Sequence, residues 1–144
     1  MPFAPLASYA YDNPMTNDGW LLVSLFHAGP IRRSDPLGWK HLIGVADWIN
    51  HAILSHDEVC TGVKTLARHG LLVEKAGVLV LTLRARRGMA AAYGTRKRMS
   101  VFKLWDAGDV LIASQKERAS TVKGPTARVF RAALEAYGVT PLPT

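Results

Sequence analysis

Residues 55–70 constrain the fold of this chain more than any other stretch, because they specify both ends of one helix. Ser55 and Glu58 have the spacing of a capping box, in which the serine oxygen accepts from the amide of residue 58 and the glutamate accepts from the amide of residue 55. Gly70 supplies the residue type that most readily adopts the left-handed conformation after a helix end. The sequence therefore predicts a helix over residues 56–69, with its apolar side chains on one inward stripe.

Two further helices are predicted before this one. The first begins at Thr16 or Asn17, both competent N-caps, and ends where Gly29-Pro30 prevents its continuation. The second begins at Asp35-Pro36, because aspartate caps a helix and proline lacks only an amide that has no partner in the first turn. This second helix is expected to cover about residues 37–51.

Residues 71–82 favour a β-hairpin, since two apolar runs, 71–73 and 78–82, surround a turn at 74–77 that contains glycine. The apolar residues of these runs do not alternate with polar ones, so both faces of the hairpin are expected to be covered. One face is expected to lie on the three helices, and the other beneath the C-terminal segment or a second subunit. Residues 31–34, between the first two helices, are expected to form a loop.

Beyond residue 83 the pattern predicts further helices. Residues 84–92 are expected to form a short helix and residues 94–98 a basic connection. Apolar residues at helical spacing predict a helix near residues 99–114, although Gly108-Asp109 weakens that prediction. The last helix is expected from Thr126 to Tyr137, closed by the glycine that follows.

The formal net charge of +7 is unevenly distributed along the chain. Residues 1–74 contain five Lys/Arg and seven Asp/Glu, whereas residues 75–144 contain thirteen and four. Such asymmetry indicates an anionic partner, with nucleic acid as the first candidate. A solvated basic surface that keeps the protein in solution explains the same pattern equally well.

The order helix, helix, three-residue turn, capped helix and hairpin resembles that of a winged-helix domain of the kind found in bacterial regulators. Leu66, Gly70-Leu71-Leu72 and Leu81-Thr82 match the leucine, the Gly-Leu-hydrophobic step and the Leu-Thr strand end of that pattern. The resemblance covers residues 17–83, about half of the chain. It implies a mostly α fold with a small β-hairpin, in which a three-helix winged helix-turn-helix is followed by C-terminal helices. Residues 1–16 are then an N-terminal arm, and residues 84–144 a basic, mainly helical extension.

In winged-helix regulators the third helix enters the major groove of DNA and the wing contacts the backbone or the minor groove. With the apolar stripe placed inward, a 100° step per residue turns five side chains outward. These are Asp57, Thr61, Lys64, Thr65 and Arg68. Arg68 can pair with guanine, whereas Asp57 departs from the pattern because it repels phosphate. The predicted wing turn offers Lys75 against Glu74, which is little positive charge for a DNA-binding wing.

The basic run after the hairpin is expected to contact phosphates without sequence specificity, or else to form the solvent face of two helices. Its candidate DNA-binding residues are Arg84, Arg86, Arg87, Arg96, Lys97 and Arg98. The resulting expectation is a transcriptional regulator that binds double-stranded DNA in a sequence-dependent way, as a homodimer. A winged-helix protein-interaction module without specific DNA binding is the alternative. The sequence identifies no small-molecule effector.

Several kinds of chemistry find no support in the sequence. His51, His56 and Cys60 lack the spacing of a zinc site, so neither a metal nor a cofactor is expected. Cys60 is either a redox-sensing thiol or, more simply, a structural one. The sequence contains neither a nucleophile elbow nor a phosphate-binding glycine loop, so no enzyme is expected. With one cysteine, no secretion signal and no run of about 18 apolar residues, the chain is expected to be cytoplasmic and not to span a membrane.

Overall fold

The computed structural model describes residues 16–94 and 101–139, which are mostly helical with one small antiparallel sheet. The helices are α1 (Asn17–Ala28), α2 (Pro36–Asn50), α3 (His56–Arg68), α4 (Leu83–Tyr93), α5 (Val101–Ser114) and α6 (Ala127–Tyr137). The strands are β1 (Ile31–Arg32), β2 (Leu72–Lys75) and β3 (Val78–Leu81). The prediction of a mostly α chain with a small β element is confirmed. Residues 1–15 of the predicted arm, and the Arg96, Lys97 and Arg98 of the predicted connection, lie outside the described residues.

Helix α3 has both of the ends that the sequence predicts. The Glu58 amide donates to Ser55 Oγ over 3.1 Å, and the Ser55 amide donates to Glu58 Oε1 over 2.8 Å. At the other end Gly70 has a φ of 74°, and the Leu71 amide donates to Leu66 O over 2.9 Å. These bonds satisfy terminal groups that have no partner within the helix, so the local sequence fixes the length of α3.

Helix α1 lies at the centre of the molecule and packs against α2, α3 and α5. Its residues from Gly19 to Leu25 are all buried. The one polar side chain among them, Ser24, is satisfied because its hydroxyl donates to Trp20 O within the same helix. Gly108 of α5 lies against α1, where a Cβ would come within 3.4 Å of Leu22. The glycine that weakens the helix prediction for α5 therefore lies at the contact between the two helices, where a Cβ would make an ordinary van der Waals contact.

The sheet has three strands in the order β1–β3–β2, which corrects the expectation of a loop at residues 31–34. Ile31 pairs with Leu79 and Arg32 with Val78, so the polypeptide between α1 and α2 adds an edge strand to the hairpin. The hairpin turn consists of two residues, Ala76 and Gly77, both with positive φ as a type I′ turn requires. It is shorter than predicted, and β2 extends accordingly to Lys75.

The expectation that both faces of the hairpin are covered holds for one face and only in part for the other. Leu79 and Leu81 of β3 are buried, whereas Val78 and Val80 between them are only half-buried. This alternation is typical of a sheet with one face on the core and the other toward solvent. The sheet packs against α3 on its inner face and is partly covered by α4 on the other.

The helices after residue 83 share the core of the preceding residues. Met89 of α4, Trp105 of α5 and Phe130 of α6 are all buried in one cluster with the side chains of α1. Phe130 lies edge-on to Trp39 of α2, with ring centroids 6.5 Å apart. Within residues 16–94 and 101–139, no helix has the length and apolar character needed to cross a membrane.

Replacing Ser55 with alanine is expected to lower the free energy of unfolding by about 1 kcal/mol, because the Glu58 amide loses its cap. Urea denaturation measures this difference. Ser34→Ala is the matched control, since Ser34 is an exposed serine outside the helices and a change there is expected within about 0.5 kcal/mol. Equal losses in the two variants would contradict the role of the capping box.

Candidate nucleic-acid interface

Helix α3 presents a narrow exposed strip, because its neighbours cover the rest of its circumference. Val59, Val63 and Leu66 are fully buried, as the inward stripe requires. Of the outward residues predicted, Asp57, Thr61, Lys64 and Arg68 are exposed. Thr65 is only half-buried and hydrogen-bonds Asp18 of α1. The predicted outward face is thus confirmed for four of its five residues, and Thr65 is turned toward α1.

Residues 115–126, called here the connecting segment, run along one flank of α3 in the opposite direction. Near the C-terminal end of α3, His69 Nδ1 lies 2.9 Å from Gln115 O, and the Arg118 amide donates to Arg68 O over 2.7 Å. Near its N-terminal end, His56 Nε2 lies 2.8 Å from Pro125 O. Bonds at both ends therefore hold this segment against the helix, an arrangement that no feature of the sequence predicted.

The connecting segment also engages one of the predicted DNA-binding residues. Arg68 Nη2 lies 3.2 Å from Glu117 Oε2, and both side chains are more than half exposed. His69 Nε2 lies 3.6 Å from the other oxygen of the same carboxylate. An exposed ion pair of this kind contributes little to stability, so a phosphate group can replace Glu117 as the partner of Arg68 at small cost.

Strand β1 places two further cations beside the hairpin turn. Arg32 Nη1 donates to Ala76 O over 3.4 Å, and the Arg33 amide donates to Gly77 O over 2.9 Å. Arg33 Nε lies 3.8 Å from Glu74, so the acidic group of β2 has a cationic neighbour. The sequence alone indicates little positive charge on the predicted wing, because it predicts a loop at residues 31–34. The lone apolar Ile31 before Arg32 was the only signal that could have predicted this strand.

Cations from three separate elements meet beside the exposed strip of α3. Lys64 of α3, Arg33 at the end of β1 and Lys123 of the connecting segment line one shallow pocket. Neither Arg33 nor Lys123 was among the residues predicted from the sequence. Because 33, 64 and 123 are distant in the chain, their proximity follows from the tertiary structure alone.

The N-terminal end of the α3 strip is acidic. Asp18, Asp57 and Glu58 line a second shallow pocket together with Asn17 and Thr61. The pKa of Asp18 is raised, mainly by burial and also by the nearby Asp109, while its hydrogen bond with Thr65 and the proximity of His69 act in the opposite direction. The strip therefore runs from an acidic end at Asp57 to a basic end at Arg68.

The described basic residues among those predicted on and after the hairpin lie in different surroundings. Arg84 lies near the basic end of α3, where its Nη1 donates to Gln115 Oε1 over 3.0 Å. Arg86 instead borders an apolar pocket with Phe26 and Val80, on the outer side of the sheet. Lys75, on the hairpin, and Arg87, on α4, are exposed. Arg96, Lys97 and Arg98 lie outside the described residues.

Cys60 has the environment of a structural thiol. His56 Nε2 lies 2.8 Å from Pro125 O, and since a carbonyl only accepts, that nitrogen carries its proton and cannot act as a base toward the thiol. Cys60 Sγ, 3.2 Å from the same nitrogen, itself donates to Pro125 O over 3.5 Å. Burial raises the pKa of the Cys60 thiol, as does the charge of Asp57, against the opposing effect of Lys64. This geometry does not support an activated, redox-sensing thiol.

Among residues 16–94 and 101–139, no three His, Cys, Asp or Glu side chains are grouped in a way that could hold a metal ion. His51 and His56 illustrate the reason. The first is the exposed C-cap of α2, whereas the second is half-buried against Phe130 with ring centroids 5.7 Å apart.

Alkylation of Cys60 by iodoacetamide is expected to reach half of its maximal rate at a pH above that of an unfolded cysteine. The reason is that the raised pKa delays formation of the thiolate, which is the reacting species. The measurement is the rate across a pH series, with the urea-unfolded protein as the control. A midpoint below that of the unfolded protein would mean that the thiol is activated.

Comparisons of this chain with known proteins found no match. No protein-family model, no curated protein and no solved structure matches it. The case for a function therefore depends on the residues and the geometry of the described part of the chain.

Proposed function

We propose that the chain is a winged-helix protein that binds double-stranded DNA in a sequence-dependent way and regulates transcription. The order of its elements supports this proposal. Helix α1, strand β1, helices α2 and α3, and the hairpin of β2 and β3 follow one another as in a winged-helix domain. In this proposal α3 is the recognition helix and the hairpin, with β1 beside it, is the wing.

The observation that carries the proposal is the position of Lys64. This residue is exposed at the middle of the α3 strip and shares a pocket with Arg33 from the root of the wing and Lys123 from the connecting segment. The positive surface is therefore continuous with the outer face of the proposed recognition helix. A helix that enters the major groove has phosphates on both sides, and cations placed beside it can neutralise them.

The exposed residues of α3 differ in what they can recognise. Lys64 and Arg68 lie toward the basic end, where they can contact phosphate or a guanine edge. Thr61 can contact phosphate or a thymine methyl group, and Asp57 can accept a hydrogen bond from the amino group of cytosine. Thr65 is directed to Asp18 and is not part of the proposed reading surface.

A winged-helix protein-interaction module is the second candidate, and the acidic end of the α3 strip favours it. The carboxylates of Asp18, Asp57 and Glu58 would repel phosphates that approach that end. A protein partner of mixed charge would bind both ends of the strip without this electrostatic repulsion. The homodimer and the cytoplasmic location expected from the sequence both stay predictions.

Removal of two cations from α3, in Lys64→Ala/Arg68→Ala, is expected to weaken binding to duplex DNA and to abolish its sequence preference. Because each phosphate contact contributes about one unit to the dependence of log affinity on log salt, the slope is expected to fall by about 2. The measurement is binding of the full chain to labelled duplexes across a salt series.

The matched control is Lys40→Ala/Arg131→Ala, which removes the same charge from two exposed residues of α2 and α6 that belong neither to the α3 strip nor to the candidate DNA-binding residues. This control is expected to keep the sequence preference. An unchanged preference in the α3 variant would exclude α3 as the reading element. No binding of the wild-type protein at low salt would contradict the DNA proposal and favour a protein partner.

Glu117→Gln is expected to increase DNA affinity, because it removes the carboxylate that holds Arg68. An exposed pair of this kind is worth roughly a two- to fivefold change in affinity, measured in the same assay. Glu135→Gln is the control, since it removes an equal charge from an exposed position on α6. An equal gain in both variants would attribute the effect to net charge and not to the release of Arg68.

A further inference from the structure

We propose that the pocket between α3, the end of β1 and the connecting segment is a binding site for a single phosphate group. The assignment of this phosphate to a DNA backbone rests on the function proposed above. Arg33, Lys64 and Lys123 supply the charge, and the pocket has a volume of about 220 Å³, which is sufficient for one phosphate group with part of its attached sugar.

The charge of this pocket is incompletely neutralised by the protein. Glu74 lies 3.8 Å from Arg33 Nε and is the one acidic partner of the three cations among the ion pairs of the described residues. Lys64 and Lys123 are exposed and take part in none of those ion pairs. Like charges that line one pocket without counter-charge repel one another, and a bound anion offsets that repulsion by attracting each of them.

The backbone around the pocket keeps it open and close to α3. Gly124 lies against Cys60, where a Cβ would come within 3.0 Å of the sulfur, so only glycine permits this approach without displacement. Thr126 caps α6, and the positive end of that helix dipole adjoins the pocket. The dipole adds to an attraction that the three side chains already provide.

A phosphate suits this arrangement better than a carboxylate does. Its oxygens point in several directions, which matches cations that approach from three different elements, whereas a carboxylate offers two coplanar oxygens. The guanidinium of Arg33 can form paired hydrogen bonds, and the two ammonium groups act as point charges. Since Lys64 belongs both to the pocket and to the α3 strip, a DNA phosphate held there would fix the register of α3 along the groove.

The first test uses inorganic phosphate and the full chain without DNA. Thermal unfolding is followed in sodium phosphate and in sodium chloride of equal ionic strength, for the wild type, Lys123→Gln and Lys116→Gln. Lys116 lies in the same segment, is also exposed and does not line the pocket, so its variant is the matched control. Phosphate is expected to raise the Tm of the wild type and of Lys116→Gln by about 3 °C, with saturation. The rise is expected to be lost in Lys123→Gln.

The second test measures duplex DNA binding of the same three proteins across a salt series. Lys123→Gln is expected to lower the salt slope by about one unit more than Lys116→Gln does, if the phosphate belongs to DNA. A different result is that phosphate stabilises the protein through Lys123 while the two variants bind DNA equally well. That result would show that the pocket binds phosphate, and it would assign the site to a free phosphorylated ligand.

Two outcomes separate this inference from the proposed function. If phosphate stabilises no more than chloride does, and both variants bind DNA alike, the pocket is not a phosphate site, while DNA binding by the wild type still stands. If phosphate stabilises through Lys123 but the wild type binds no duplex, the pocket stands and the proposed function is wrong.

Discussion

The burial of α1 on almost every side is the constraint on which the rest of the structure depends. Helices α2, α3 and α5 pack against it, and two of these approaches require a glycine at the contact. Gly19 and Gly62 mark two of these contacts, since a Cβ on Gly62 would come within 2.6 Å of Leu21 and one on Gly19 would overlap the side chain of Asp109. With its inner stripe held against α1 in this way, α3 has only one direction in which to expose its remaining side chains.

The buried tryptophans show how this core accommodates polar atoms. Trp20 Nε1 donates to Ala46 O over 3.0 Å, and Trp105 Nε1 donates to Thr16 O over 2.8 Å. Their rings stack with centroids 5.8 Å apart, which joins α1 to α5. Each indole therefore connects two elements both through its ring and through its N–H, and no hydrogen-bonding group is lost. Trp48, in contrast, is 65% exposed on the outer face of α2.

The binding properties proposed for α3 depend on charges of opposite sign at the two ends of its exposed strip. The same strip has carboxylates near Asp57 and cations near Lys64 and Arg68, and one of those cations is paired with Glu117. A partner that carries phosphate is attracted by one end and repelled by the other, so its orientation along the helix is restricted. The cations of β1 and of the connecting segment increase the attraction at the basic end.

The sequence by itself determined the ends of the helices and the inward stripe of α3. Capping by Thr16, Asp35, Ser55 and Thr126 involves amides within three residues of each cap, and such local bonds can be predicted from local sequence. Only the tertiary structure decided that Arg33, Lys64 and Lys123 meet, that β1 pairs with β3, and that the connecting segment covers one flank of α3. These features join residues separated by dozens of positions, and most of the hydrogen bonds that hold β1 to β3 and the connecting segment to α3 include a backbone group, which every residue carries. No local pattern of side chains predicts such contacts. For this reason the helices could be predicted from the sequence, whereas the composition of the charged surface could not.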